Sequence, residues 1–154
     1  MNYSSDDILA MHDLIYRYCH EHDARNAAAV ADCYAENGGA HLAHHGREAV
    51  REFYERIYAA NNERRRHVLT NPIVDGVDED HARVRAYEQL YLITETGEIS
   101  LALTGVYVVD IVREDDGWKI LRLDPHLDVP YDIADNPHIA SERQDDGTYR
   151  LVEK

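Results

Sequence analysis

Cysteine is close to absent. Cys19 and Cys33 are the only two in 154 positions. That excludes a disulfide framework, and because both fall on apolar faces of expected helices they read as buried thiols. Proline numbers four, and no low-complexity linker or internal repeat divides the chain. One domain is therefore expected, long enough to bury a core and keep a ligand cavity. No apolar run approaches the roughly 20 residues that a spanning helix needs. The opening MNYSSDD lacks the basic-then-apolar order of an export signal, so a soluble cytoplasmic protein is expected. Positive charge is in deficit: 16 Lys and Arg against 30 Asp and Glu leave a net charge of −14. Nucleic acid and anionic membrane surfaces would repel such a chain. Its one basic run, Arg64-Arg65-Arg66, is too short and isolated to reverse that.

What is present is an ordered pair of patterns. Ser4-Ser5-Asp6-Asp7 resembles a capping box. After it Ile8, Met11, Ile15, Tyr18 and His22 recur at helical spacing, with Leu14 and Cys19 beside them. The stripe begins aliphatic and turns polar-aromatic, as it would if the far end of the helix bordered a cavity; Asp23 closes it. A second helix is expected over AAAVADCYAEN, ended by Asn37-Gly38-Gly39 with glycines suited to a left-handed cap. GAHLAHH reads as a strand, and REAVREFYERIYAA as a third helix with Val50, Phe53, Tyr54 and Ile57 on one side. From there residues 66–75, 81–95, 98–113 and 117–124 alternate apolar and polar between turns containing DG, TG and DDG. Helices followed by an antiparallel meander predict an α+β domain in which one sheet face curls over the helices. The final stretch, 127–154, loses the alternation and carries Pro130 and Pro137. It reads as a tail lying over the pocket, against a neighbouring subunit, or loose.

His67 stands near the start of the first long strand, close to the mouth of whatever the sheet covers, and is a candidate base. Such a base needs an acid to fix its tautomer and steady its charge. Asp23, at the end of the first helix, can supply it. The competing roles are a sheet-edge histidine and an Asp23 that caps the second helix. Tyr18 is either core or a phenol donor. Tyr107 shares strand parity with Gly105 and Arg113 and reads as a pocket liner. Glu88 shares parity with Val84, Ala86, Leu90 and Leu92. If these face inward, its carboxyl enters apolar space as a substrate contact or second acid; a buried pair with Arg113 or Arg122 is the alternative. Tyr87 and Tyr91 suggest a subunit interface. His41, His44 and His45, with His20 and His22, raise the question of a metal, but HxxHH is a weak ligand spacing and no metal is expected. His12, His81 and His138 read as solvent-facing.

YCHEHDARN on the first helix, GREAVREF on the third, then HVLTNPIVDG, GVYVVD and DGWKI are similar to the SnoaL-like branch of the nuclear transport factor 2 (NTF2)-like superfamily. Within it the likeness is to scytalone dehydratase, bile acid 7α-dehydratase and hexachlorocyclohexane dehydrochlorinase. The resemblance assigns 1–126 to the domain and leaves 127–154 as the tail. It implies a cone-shaped α+β barrel whose helices pack in the concave face of a curved sheet, with an apolar pocket at the open end. It also implies chemistry without a cofactor and a homo-oligomer, a trimer rather than a dimer. In the eliminating enzymes the dyad corresponds to Asp23 and His67. Tyr18, five residues before Asp23, matches a tyrosine of the bile acid enzyme. Arg113, late on the strand of Gly105 and Tyr107, matches an arginine of the dehydrochlorinase. Against scytalone dehydratase the chain departs: His22 replaces a tyrosine, Gly105 and Tyr107 replace a serine and an asparagine, and Leu42 and Thr94 fall where a tyrosine and a second histidine stand. The dyad is retained while the groups that polarise substrate differ. The resemblance thus implies a lyase that removes water or a similar group from a small hydrophobic cyclic or polyketide-like substrate. His67, Asp23 and Tyr18 would be catalytic, and Tyr107, Arg113, Glu88 and His22 would bind substrate. A cyclase or isomerase, or a non-catalytic small subunit or ligand-binding protein, is the alternative.

Overall fold

The computed structural model describes residues 3–40, 44–60, 62–131 and 139–154. Helix α1 (Ser5–Asp23) starts as its sequence demands: Ser4 Oγ accepts from the Asp7 amide at 3.1 Å. Asp6 and Asp7 place negative charge against the positive end of the helix dipole. Met11, Leu14, Ile15, Tyr18, Cys19 and His22 form its buried stripe. Helix α3 (Arg47–Ala60) buries Val50, Phe53, Tyr54 and Ile57, the face its spacing predicts.

Between them the sequence reading needs correction. Helix α2 is only Ala27–Asp32, and Tyr34–Ala40 is strand β1, paired in parallel with a later strand. Gly38 serves that pairing and not a helix cap: a Cβ there would sit 2.6 Å from the Ile120 carbonyl oxygen. Of the expected strand GAHLAHH, Gly39 and Ala40 end β1, residues 41–43 lie outside the described residues, and His44 and His45 are not in a strand.

The meander follows as β2 (Arg64–Gly76), β3 (His81–Ile93), β4 (Ile99–Glu114) and β5 (Gly117–Leu127). The tail adds β6 (Ile139–Arg143) and β7 (Tyr149–Glu153), a hairpin turned at Gly147, whose φ is +85°. Strand β7 bonds to the end of β5 through His126–Arg150 and Leu127–Tyr149. The described sheet runs β2-β3-β4-β5-β7-β6 with β1 beside β5, a curved and unclosed surface around the helices. Alternation sorts β3 cleanly: Ala82, Val84, Ala86, Glu88 and Leu90 face the core and their neighbours face out. Val68, Ile73 and Tyr87 remain exposed on the outer face. No helix among the described residues is long and apolar enough to cross a membrane.

Candidate active site

The end of α1 delivers Asp23 to β2. Arg25 turns the chain in the left-handed region at φ +60°, and its guanidinium donates to the Tyr58 carbonyl. Asn26, not Asp23, caps α2 by accepting from the Ala29 amide at 3.2 Å. That leaves the Asp23 carboxylate at the negative end of the α1 dipole, a place where a helix alone would disfavour it. Its partners come from β2. His67 Nδ1 lies 2.6 Å from Asp23 Oδ1, and the His67 amide donates to Oδ2 at 3.0 Å. Both side chains are withdrawn from solvent, His67 4% and Asp23 11% exposed. With Nδ1 committed to the carboxylate, Nε2 is the nitrogen left to act as acceptor.

His22, one residue before Asp23, stacks on the His67 ring at 4.6 Å between centroids and 29° between planes. Its own Nδ1 is bonded to the Tyr58 hydroxyl at 2.9 Å. Tyr18 is fully buried, bonded hydroxyl to hydroxyl with Tyr54 at 2.8 Å, and Tyr34 approaches Tyr54 at 3.4 Å. Burial raises the Tyr18 and Tyr34 phenols well above their ordinary range, with Tyr54 pushed up to about 12, so all three stay neutral donors. Tyr107 closes the group, its ring centroid 6.4 Å from His67.

These side chains wall an interior cavity, together with Ile57, Arg65, Glu88, Leu90, Leu103, Pro125, Leu127, Tyr131, Ile139 and Leu151. Its free space, about 40 Å³, holds a few waters. On the other side of His67 a wider cleft of about 670 Å³ opens to solvent between α1 and β2, lined by Tyr16, Cys19, His20, Asp23, Arg64 and Arg66 among others. The imidazole therefore stands in the partition between an apolar, aromatic interior and an open, arginine-rimmed surface. The interior is the side that excludes water, and exclusion of water is what strengthens proton transfer and hydrogen bonding to a reacting group.

Glu88 faces this interior, 3% exposed. Neither expected arginine reaches it. Arg122 lies near Asp124, and Arg113 binds Asp7 at 2.8 Å and stacks over Trp118 at 4.2 Å, at the other end of the sheet. The parity that placed Arg113 with Tyr107 holds, but six residues of strand carry it some 20 Å away from the dyad's end of the cone. Arg113 is a tie between β4 and the start of α1, not a cavity residue. Burial without a cation pushes the Glu88 carboxyl up to about 8, partly offset by a hydrogen bond from Tyr107.

Among the described residues the histidine cluster does not assemble. His44 packs on Phe53 at 4.2 Å, His22 stacks on His67, and His41 lies outside the described residues. Among the described residues no group of three or more His, Cys, Asp or Glu is arranged to hold a metal. Sequence reading missed Tyr54, Arg65 and Tyr131 as cavity residues, and Tyr58 as the partner of His22. Tyr54 was visible only as part of a helical stripe, and Tyr131 sits in the tail, where no periodicity singles it out.

An α+β cone with helices held in a curved sheet, and a histidine-carboxylate pair on the wall of its cavity, defines a protein of the NTF2-like, cystatin-like fold. Residues 4–124 match the SnoaL-like domain, and the chain belongs to that family. Solved structures agree. A candidate aromatic ring hydroxylase from Novosphingobium aromaticivorans is 29% identical, with 79% of this chain and 89% of that one covered and a TM-score of 0.68. An NTF2-like protein with a cystatin-like fold from the same organism is 20% identical over 84% and 86% of the two chains, TM-score 0.67. A candidate scytalone dehydratase, also from that organism, is 21% identical over 79% and 84%, TM-score 0.68. No curated protein matches the chain.

Proposed function

We propose that the protein is a cofactor-free lyase that removes water, or a similar leaving group, from a small hydrophobic cyclic or polyketide-like substrate. The observation that carries this reading is the 2.6 Å contact between His67 Nδ1 and Asp23 Oδ1, with His67 on the wall of a narrow, largely apolar and aromatic cavity. Nε2 takes a proton from a carbon next to a carbonyl. The carboxylate steadies the imidazolium that forms, and the same imidazolium returns the proton to the departing hydroxyl. Tyr18 and Tyr107 supply neutral phenols at the cavity wall, and His22 fixes the imidazole face. A ring-sized substrate exceeds the free space, so binding displaces part of the wall, to which Ile139 and Leu151 contribute.

Incubation with a panel of cyclic β-hydroxyketones, followed by product mass, tests the reading. Loss of one water, about 18 mass units, is expected in the wild type and not in His67→Ala. Product of unchanged mass would replace elimination by cyclisation or isomerisation, and no turnover of any member would leave a binding protein.

Arg113→Ala separates this site from the family expectation. It is expected to leave turnover within about twofold while lowering Tm by about 2–4 °C, the loss of one cation–π contact and a partly exposed ion pair. A deep activity loss at unchanged Tm would return Arg113 to the substrate.

A further inference from the structure

Two buried polar atoms on the cavity wall have no hydrogen-bond partner among the described residues: Glu88 Oε2 and Tyr131 Oη. Their residues are 3% and 8% exposed. Leaving a buried donor or acceptor unmade costs about 1–3 kcal/mol, and native structures rarely do so without a reason. Here two occur in one cavity, beside a base. They come from distant parts of the chain, Glu88 from the middle of β3 and Tyr131 from the segment after β5, beyond the stretch that matches the family, and Tyr131 lies close enough to feel the Glu88 carboxyl.

The strand register brings Glu88 near the dyad. His67 pairs with Leu90 and Leu69 pairs with Glu88 across β2 and β3, so His67 and Glu88 are diagonal neighbours on the concave face. Such diagonals lie about 7–8 Å apart, the span of a small substrate's reacting atoms. On its other flank Glu88 faces Gly105 of β4, where a Cβ would strike the His126 carbonyl oxygen at 2.5 Å. The β5 backbone, and not a β4 side chain, therefore lies directly across from Glu88. Tyr107, diagonal to Glu88 on β4, hydrogen-bonds the carboxyl and holds it in place.

We propose that Glu88, as a neutral carboxylic acid, and Tyr131 form an oxygen-binding pole of the cavity, donating two hydrogen bonds to a carbonyl oxygen of the substrate. This rests on the lyase reading and narrows it to substrates in which that carbonyl activates the C–H bond His67 breaks. His67 Nε2 takes the α-proton, and the C–H electron pair moves through the α-carbon to the oxygen, giving an enolate held by the Glu88 O–H and the Tyr131 O–H. The pair then returns to form the C=C bond as the β-hydroxyl departs with the proton from His67. Enone and water leave, and both His67 and Glu88 end as they began. Burial that keeps Glu88 protonated up to about pH 8 makes it a donor under ordinary conditions, and an apolar pocket magnifies what a donor contributes to a developing oxyanion.

The probe is 2-naphthol, a planar bicyclic phenol whose oxygen resembles an enolate's, with Kd read from its fluorescence at pH 7. Wild type and Arg113→Ala, whose side chain lies at the other end of the sheet, are expected to bind it alike. Tyr131→Phe should weaken binding about tenfold and Glu88→Leu at least tenfold, while Glu88→Gln, which keeps an N–H donor, should stay within about threefold. Because Tyr131→Phe removes a hydroxyl with no partner, its Tm should equal or exceed that of wild type, whereas a structural hydroxyl would lower it. Wild-type affinity in Tyr131→Phe and Glu88→Leu, absence of binding by wild type at millimolar 2-naphthol, or a clear Tm loss in Tyr131→Phe would each overturn the oxygen pole. No loss of water from any β-hydroxyketone by wild type, with the binding pattern as expected, would instead overturn the lyase reading and leave the oxygen pole standing.

Discussion

His67→Ala is expected to cut the dehydration rate by about 10⁴-fold, the upper end of what a general acid–base contributes, because one imidazole both removes and returns the proton. Asp23→Asn should fall nearly as far for a different reason. The carboxylate accepts twice from one residue, at the ring nitrogen and at the backbone amide. An amide has one oxygen to offer. If it serves the His67 backbone N–H, its NH₂ meets Nδ1 and forces the tautomer whose Nε2 carries a proton, which cannot act as a base. Kinetics with both variants, run beside added imidazole, separate the roles. Small imidazoles should partly restore His67→Ala and do nothing for Asp23→Asn. Equal activity in wild type and His67→Ala would remove the imidazole from the mechanism. Loss of one partner of this shielded pair also lowers stability by about 2–3 kcal/mol, so circular dichroism must show the variants folded at the assay temperature.

How far the site was legible follows from the range over which each signal acts. The α1 stripe, the α3 stripe and the β2 to β5 alternation are local periodicities, and a chain of this length shows them directly. Asp23 and His67 are 44 positions apart, and no periodicity joins them; the resemblance did that. The carboxylate's competing role as a helix cap was settled only when Asn26 took it. Glu88 was half legible: parity put it inside, but Arg113 failed to reach it through distance along β4, which parity does not measure, and Arg122 of β5 lies beside Asp124 with its side chain half exposed. Strand β1 was hidden because its glycines look like a helix stop, and their purpose, close approach of the β5 backbone at Gly38 and of the His44 carbonyl at Gly39, exists only once the chain has folded. The β6–β7 hairpin escaped for want of length. Five residues a strand is about the minimum that alternation can reveal, and its stability comes from pairing with β5.

Glu88→Gln is expected to change how stability depends on pH. A carboxyl near 4.5 in the unfolded chain and about 8 in the folded one binds its proton more tightly when folded. Below pH about 4.5 both states hold the proton, and the stabilisation is fully present. Between there and pH 8 the unfolded chain has released it and the folded chain has not, so unfolding stability declines by about 1.4 kcal/mol per pH unit and levels off above 8. Glutamine has nearly the same shape and no such proton. Urea unfolding of the two proteins at pH 5 and pH 7 should therefore show the variant gaining on wild type by roughly 3 kcal/mol over that interval. Every other titrating group, His44 and His126 included, is common to both proteins and cancels in the difference. A difference independent of pH would mean that Glu88 is already ionised in the folded state. The carboxyl would then be an acceptor facing the enolate with like charge, and the donor role assigned to it would fail on electrostatic grounds before any substrate was tried.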